Sequence, residues 1–336
     1  MANVANKGTF ATYGGANLNQ IFFEPVFKSD DIMRNYRVIP NVKHKMNVYT
    51  SASLKKIVSA YSGCSSSSGS TQFNIEQKII TAGRMRVALE QCTDEFFGTY
   101  IEELYKSGVD VMNLEGTALA DAIVNRAVKG IGSDVVRLAW GGDGSTSDYD
   151  SMTGWMKLMG DDSTVETAKR AVTASDSDNP TAEEAIGAIR KAFDNAPAAL
   201  QQIPAGEKKL FVTPKIYNAY LANLEGTSAD LAYQAQVNGA PRVAFRGVEL
   251  VPMYEWDTIL ADTNPAMFTI SATNYTQGVC YCAVENLAIG SDVNDPESSF
   301  KVFYDDLEEK MFFRGYFKLG VQFMYPSLVQ WCIIKQ

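Results

Sequence analysis

The chain has 336 residues, 46% of them hydrophobic and 21% charged, which excludes a disordered polypeptide and leaves room for two or three domains. No stretch approaches 18 uninterrupted apolar residues, and the N-terminus lacks a basic segment followed by an apolar one. We therefore expect neither a membrane span nor a secretory signal. The single histidine, His44, leaves little from which to build a catalytic triad or a zinc site. Five cysteines without a signal indicate reduced thiols made in a cytoplasm.

The charge is unevenly distributed along the chain. A total of −9 argues against a dedicated nucleic-acid-binding protein. Residues 1–60 nevertheless carry eight basic and three acidic side chains, a net charge of +5, which leaves −14 on the remainder. This pattern predicts a basic N-terminal segment on an acidic body, although an incidental solvated surface has the same composition.

The first quarter of the chain lacks the pattern of a self-sufficient domain. The first 40 residues have no sustained period, which predicts an extended arm that lies against its own chain or a neighbour. Residues 45–92 alternate like a long β-hairpin whose tip, 62–71, is rich in serine and glycine. A hairpin this long with little apolar content is marginal alone, so we expect it to project and to find its stability on another subunit.

Two helices follow the hairpin. One is predicted over 93–108, with Thr93 as its N-cap and Gly108 at its end. The second and longer helix begins near Thr117, where apolar residues recur at helical spacing. It leads into a turn-rich connection over 140–155.

The second half alternates between helix and strand signals. Residues 161–180 are polar and predict a surface excursion, after which Thr181 and Glu184 have the spacing of a capping box. A buried strand at 210–212 precedes a helix that begins with proline and stops at Gly226. Two short strands are predicted around Arg246 and Gly247, and another pair is predicted to turn near 276–278. The last fifty residues are strand-like almost throughout.

No combination of residues indicates catalysis, a cofactor or a metal. The sequence GGDG at 141–144 lacks a phosphate-binding fingerprint and predicts a plain turn. Cys280 and Cys282 share one face of a predicted strand and are interpreted as small buried hydrophobes. His44 is expected to face solvent. The acidic cluster formed by Asp305, Asp306, Glu308 and Glu309 is interpreted as a solvated loop that contacts another subunit.

The order of these parts resembles the major capsid proteins of tailed bacteriophages, which have the Hong Kong 97-like fold. Residues 119–155 are similar to the family's spine helix and its G-x-G exit, and 208–226 are similar to a strand-helix pattern of its A-domain. Segments 243–253, 283–292 and 312–335 are similar to the strands of its return. Each motif is weak alone, and their order is the specific signal.

The resemblance implies an α+β fold with five parts. These are an N-terminal arm (1–44), an E-loop β-hairpin (45–92), a P-domain with a long spine helix (93–160), a mixed α/β A-domain (161–285) and a return to the P-domain (286–336). It also implies a structural, non-enzymatic protein that self-assembles into the hexamers and pentamers of an icosahedral head enclosing double-stranded DNA.

Partners and location follow from the same resemblance. They are other copies of the chain, a portal protein at one vertex, decoration proteins, and packaged DNA contacted non-specifically through the basic arm, with no membrane. Assembly would take place in the host cytoplasm, and the product would be the virion. Because the chain enters arm-like sequence directly after Met1, we expect a separate scaffolding protein. Lys55 and Lys56 lie on the hairpin, but there is no Asn between Phe300 and Pro326, so we expect no covalent cross-links between subunits.

Two alternatives stay open. An encapsulin-type nanocompartment shell has the same fold, but it tends to begin with an amphipathic helix that residues 1–40 do not suggest. A soluble α/β enzyme would need a cluster of polar residues that the sequence does not indicate.

Overall fold

The computed structural model describes residues 9–13, 30–51, 75–92, 118–227, 243–292, 299–305 and 310–336. The helices are α1 (Asp30–Asn35), α2 (Ala118–Gly141), α3 (Trp155–Asp161), α4 (Ser163–Ala168), α5 (Ala182–Asp194), α6 (Ala198–Gln201), α7 (Pro214–Thr227) and α8 (Glu255–Asp262). The strands in the first half are β1 (Thr9–Tyr13), β2 (Arg37–Pro40), β3 (Lys45–Ser51), β4 (Ile75–Thr81), β5 (Gly83–Cys92) and β6 (Arg170–Thr173). Those in the second half are β7 (Lys208–Val212), β8 (Ala244–Phe245), β9 (Val248–Pro252), β10 (Thr269–Ile270), β11 (Thr273–Asn274), β12 (Gln277–Ala283), β13 (Leu287–Asp292), β14 (Ser299–Asp305), β15 (Lys310–Phe323) and β16 (Val329–Lys335).

The first sheet is organised around the 14-residue strand β15. Its order is β1-β14-β15-β13-β2, and β5 also pairs with β15. β5 and β15 are antiparallel over ten successive residue pairs, from Gly83 opposite Leu319 to Cys92 opposite Lys310. β2 joins the sheet in parallel with β13. The sheet therefore unites segments from near both ends of the chain.

The second sheet has the order β6-β16-β12-β7-β9-β8. It mixes antiparallel pairs with two parallel ones, β6 with β16 and β7 with β9. Helix α5, which begins at a complete Thr181–Glu184 capping box as predicted, packs on it beside α7. Side chains that alternate along β12 and β16 divide between a hydrophobic cluster on each face of the sheet.

Helix α2 is the longest helix in the described part of the chain, 24 residues or about 36 Å. Its buried residues recur every three or four positions and include Val128, Ile131, Val135 and Ala139. The prediction of a long helix starting near Thr117 is thus confirmed. The helix ends where the backbone of Gly142 passes that of Gly154, with a hydrogen bond of 2.7 Å from the Gly154 amide to the Gly142 carbonyl. A Cβ on Gly154 would lie 2.7 Å from the Gly142 nitrogen, so this crossing requires glycine.

An aromatic cluster joins the end of α2 to the second sheet. All four tryptophans of the chain are fully buried in it: Trp140, Trp155, Trp256 and Trp331. Trp140 lies with its ring centroid 5.0 Å from those of Trp155 and Trp256, and Trp256 stacks on Trp331 at 5.5 Å. Because these rings come from α2, α3, α8 and β16, the cluster fixes the helix against one face of the second sheet.

Three expectations about local structure are wrong. The polar stretch 161–180 is not simply a surface excursion, because it contains α4 and then β6, which extends the second sheet. The turn expected at 276–278 lies at Ser271 and Ala272, and Gly278 is inside β12 with the Phe268 ring 2.8 Å from the position of a Cβ. The predicted second limb of the hairpin ends at Thr81, since 83–92 pairs with β15 instead. The helix predicted at 93–108 and the hairpin tip at 62–71 lie outside the described residues.

Candidate assembly surfaces

The base of the predicted hairpin is present as β3 and β4, which pair antiparallel from Lys45 opposite Thr81 to Ser51 opposite Ile75. Residues opposite each other share a face of the ribbon. One face carries Met46, Val48 and Ile80, and the other carries Tyr49, Ile75 and Ile79.

The two faces differ sharply in exposure. Ile80 is fully buried against the body of the protein. On the opposite face Tyr49 is 67% exposed, Ile75 64% and Ile79 44%. Tyr49 lies diagonally between the two isoleucines, because its direct partner is Gln77. We call Tyr49, Ile75 and Ile79 the hairpin patch. Three large apolar side chains side by side in water are what an unoccupied contact surface presents.

A small apolar core holds the inner face of the hairpin. It consists of four buried residues, Val42, Ile80, Ala288 and Met324. The hairpin backbone packs directly against Gly320 of β15. A Cβ at this position would lie 2.4 Å from the carbonyl oxygen of Thr81, so no side chain fits there. The hairpin therefore leaves the body at a fixed point, where a residue larger than glycine would displace it.

Polar contacts also hold the hairpin against the body of the subunit. The Gln322 side-chain amide donates to the carbonyl of Ile79 at 3.0 Å. The Lys78 ammonium lies 3.7 Å from the Asp162 carboxylate and 4.7 Å from the centroid of the Phe323 ring. Because Lys78 and Asp162 are both mostly shielded from solvent, this pair is less screened by salt than an exposed one.

The arm is more firmly attached to its own subunit than the sequence suggested. Ile32 and Tyr36 are buried in the main core, and the Tyr36 hydroxyl accepts a hydrogen bond of 2.9 Å from Trp140 Nε1. Burial raises the pKa of Tyr36 far above its usual value. The Glu249 carboxylate contacts both Arg34, at 3.5 Å, and Lys209. The expectation of an extended arm is thus wrong for residues 30–44, which include the helix α1. Further towards the N-terminus, β1 is extended and pairs with β14 of the same chain.

The cysteines of the second sheet are inert. Cys280 and Cys282 lie fully buried on one face of β12, as predicted, and Cys332 lies buried on the other side of the sheet. All three are free thiols. Burial raises the pKa of Cys280 well above the usual value and that of Cys332 to about 12. A thiol that stays protonated is a poor nucleophile and a poor metal ligand.

The remaining candidates for chemistry are structural or exposed. Asp143 of the 141–144 segment accepts from the backbone amides of Ser145 and Thr146, both at 2.8 Å, which makes this a side-chain-stabilised turn. His44 is exposed, as expected. Asp305 ends β14, and the other members of the acidic cluster, Asp306, Glu308 and Glu309, lie outside the described residues.

Among the residues that the structure describes, no three His, Cys, Asp or Glu side chains are grouped so that they could hold a metal ion. In the same part of the chain, no helix has the length and apolar character needed to cross a membrane.

The sequence analysis did not identify the hairpin patch, although a signal for it exists. Ile79 and Ile80 are adjacent and must point to opposite faces of a strand. The body of the subunit covers only one face, so one isoleucine of this pair has to be exposed. Adjacent branched apolar residues in a projecting ribbon thus indicate a second covering surface.

Comparisons with solved structures identify the fold, whereas comparisons of sequence find no match. No protein-family model matches the sequence, and no curated protein matches it. Solved structures match almost the whole chain. The procapsid of satellite phage P4, which includes the size determination (Sid) protein, matches with a TM-score of 0.56 at 11% identity, over 99% of this chain and 94% of that one.

Two further capsids match similarly. That of Myoviridae phage XM1 has a TM-score of 0.52 at 10% identity, covering 90% of this chain and 91% of that one. The capsid of a native GTA particle has a TM-score of 0.51 at 11% identity, covering 93% and 90%. The α+β arrangement described above is therefore the Hong Kong 97-like fold found in phage capsid shells.

Proposed function

We propose that the chain is the major capsid protein of a tailed bacteriophage and that it assembles into hexamers and pentamers of an icosahedral head around double-stranded DNA. The observation that carries this proposal is the fold likeness to the P4 procapsid, which extends over 99% of this chain and 94% of the other.

The hairpin patch supports self-assembly. Its three side chains project from a ribbon whose other face is already held by the subunit's own core. A second copy of the chain is the natural cover, because in a closed ring every subunit then donates one hairpin and receives one. In such a ring the apolar surface that each monomer exposes is buried, and no subunit is left with an uncovered hairpin patch.

A structural, non-enzymatic role is part of the proposal. Among the described residues, possible metal ligands do not converge, and the three cysteines of the second sheet are held protonated by burial. The aromatic cluster packs α2 against the second sheet, so the longest described helix and this sheet are held together as one plate.

The division into arm (1–44), E-loop, P-domain (93–160), A-domain (161–285) and return (286–336) is part of the proposal. Of the E-loop first expected at 45–92, residues 83–92 pair with β15 and belong to the first sheet, so the proposed E-loop ends at Thr81. The proposal also includes further partners: a portal protein at one vertex, a scaffolding protein during assembly, decoration proteins and the packaged DNA. The proposed location is the virion, after assembly in the bacterial cytoplasm.

Sedimentation and single-particle mass measurement of the purified full-length protein, expressed with and without its neighbouring gene products, test the proposal. We expect rings or closed shells in the megadalton range. A monomer or small oligomer under every condition would overturn the proposal and favour a soluble enzyme. Shells that enclose host protein, with a neighbouring gene product as cargo, would instead identify an encapsulin-type compartment.

A further inference from the structure

Strand β7 begins with two adjacent lysines, Lys208 and Lys209, whose side chains point to opposite faces of the second sheet. Both residues are 5% exposed. The ammonium group of Lys209 pairs with the Glu249 carboxylate of the neighbouring strand β9. In the part of the chain that the structure describes, no carboxylate pairs with Lys208. The two lysines are therefore equally buried, but only one of their charges is compensated.

Lys208 makes few polar contacts within the subunit. Its ammonium group donates one hydrogen bond, of 3.3 Å, to the carbonyl oxygen of Gln201 at the end of α6. It also lies 5.7 Å from the centroid of the Tyr281 ring. Since an ammonium group has three N–H donors, two of them find no acceptor among the described residues. A buried charge that is neither paired nor fully hydrogen-bonded costs free energy.

Tyr281 supplies a second unpartnered donor on the same face of the sheet. Ala283 of β12 is opposite Lys208, and Tyr281 is two residues before Ala283, so the Lys208 and Tyr281 side chains are diagonal neighbours. Tyr281 is fully buried, and its hydroxyl has no hydrogen-bond partner within the described ranges. The Phe193 ring stacks on the Tyr281 ring at 5.4 Å and fixes its orientation. Burial raises the pKa of Tyr281 to about 12, so the hydroxyl keeps its proton at neutral pH and remains a donor.

These two side chains together require an acceptor that carries negative charge. One acceptor can contact both, because two hydrogen bonds of about 3 Å span about 6 Å, close to the 5.7 Å between the ammonium group and the ring centroid. A water molecule would bring hydrogens that need acceptors of their own, and it would leave the lysine charge unbalanced. A phosphate group has several strong acceptor oxygens, more than these donors can satisfy. A monatomic anion needs donors alone.

We infer that Lys208 and Tyr281 bind a small monatomic anion, of the size and charge of chloride, between the end of α6 and the second sheet. The anion compensates the lysine charge and accepts a hydrogen bond from the phenol. It also favours the protonated form of Lys208, whose pKa is lowered by burial. The site belongs to the single subunit, so the inference does not depend on the proposed function.

The test measures urea unfolding of the unassembled full-length protein at constant ionic strength, with either sodium chloride or sodium gluconate as the salt. Lys208→Met removes the charge and keeps a long side chain, and Tyr281→Phe removes only the hydroxyl. The control Lys191→Met makes the same substitution at an exposed lysine of α5, whose ammonium group donates to the carbonyl oxygen of Ala171 at 2.7 Å. The control therefore changes the net charge equally and also reports any general effect of the two salts.

At a chloride concentration about ten times the dissociation constant, we expect chloride to lower the unfolding equilibrium constant about tenfold, because it binds only the folded state. The unmodified protein and the Lys191→Met control should both show this effect, and Lys208→Met should lose it. In Tyr281→Phe the affinity for chloride should fall by about threefold or more, since one hydrogen bond to the anion is lost. Crystals soaked in sodium bromide should show an anomalous scattering peak between the Lys208 ammonium group and the Tyr281 hydroxyl.

The inference would be overturned if chloride had no effect on the unmodified protein, or if Lys208→Met kept the full effect. A water molecule at this position, with no bromide peak, would overturn it as well. If Lys208→Met does not fold, Tyr281→Phe and the bromide peak decide the outcome. Shell formation is assayed separately, so failure of the proposed function is distinguished from failure of anion binding.

Discussion

Replacement of Tyr49 by serine tests the hairpin patch as the contact that drives assembly. In the isolated subunit, 67% of the surface of Tyr49 is exposed. At about 25 cal/mol per Å², covering two-thirds of a side chain of about 200 Å² contributes about 3 kcal/mol as an upper limit. Because the hydroxyl group stays hydrated, we expect a loss of about 2 kcal/mol per contact, a factor of about 30 in the equilibrium constant.

Each subunit donates one hairpin, so the concentration at which shells first form should rise about 30-fold in Tyr49→Ser. Light scattering across a concentration series, followed by sedimentation, measures this threshold. The free energy of unfolding of the unassembled subunit should change by less than about 0.5 kcal/mol, because Tyr49 is a surface residue there.

The matched control is Tyr254→Ser, the same substitution at the start of α8, where the tyrosine is 65% exposed. It should leave the threshold unchanged. If Tyr254→Ser raised the threshold as much as Tyr49→Ser, or if Tyr49→Ser had no effect, the hairpin patch would not be the assembly contact.

Five further predictions concern the subunit and its products. Gly320→Ala should lower the free energy of unfolding, measured with denaturant, by about 2 kcal/mol or more, because the new Cβ would lie 2.4 Å from the Thr81 carbonyl oxygen. The control Gly132→Ala in α2, where the space is open, should be neutral or stabilising by up to about 1 kcal/mol. Equal effects of the two substitutions would contradict close packing of Gly320 against the hairpin. Tyr36→Phe should cost about 1–3 kcal/mol in the same assay, since it leaves the buried Trp140 N–H without its acceptor, and a neutral result would contradict that hydrogen bond. The three cysteines of the second sheet should resist alkylation in the folded chain at pH 8.5 and react after denaturation, as measured by mass spectrometry. Since Cys332 ionises near 9 when unfolded and at about 12 when folded, the unfolded chain releases this proton first and stability should fall as the pH rises from 9 to 12. Purified particles should run as monomers on a denaturing gel, and a ladder of covalent multimers would refute the expectation of no cross-links.

Features encoded by neighbouring residues could be predicted from the sequence. The capping box at Thr181 and Glu184, the apolar spacing of α2 and the proline start of α7 are all local signals. Each reflects an energy that acts within one or two helical turns, so no knowledge of the rest of the fold is needed.

Features that depend on distant partners could not be predicted in the same way. Strand β6 is four residues long and is stabilised by β16, more than 150 residues away. The turn of the β10–β11 pair uses Ser271 and Ala272 at positive φ, and neither residue type suggests that conformation. Gly278 suggested a turn, but it is a glycine because the Phe268 ring packs against it.

The candidate surfaces could be predicted only in part from the sequence. The adjacent pair Ile79 and Ile80 indicates that one face of the hairpin needs a cover. The ribbon formed by β5 and β15 could not be found in this way, because residues such as Arg86 and Tyr316 are brought together only by the register of β5 on β15. The burial of Tyr36 in the main core was likewise hidden, since its partner Trp140 is 104 residues away.

Electron cryomicroscopy of particles assembled from the purified full-length chain tests the central claim most directly. The account predicts closed shells with six-fold and five-fold clusters of subunits, in which Tyr49, Ile75 and Ile79 of each copy lie against its neighbour. Particles without such clusters, or shells in which these three side chains still face solvent, would contradict it.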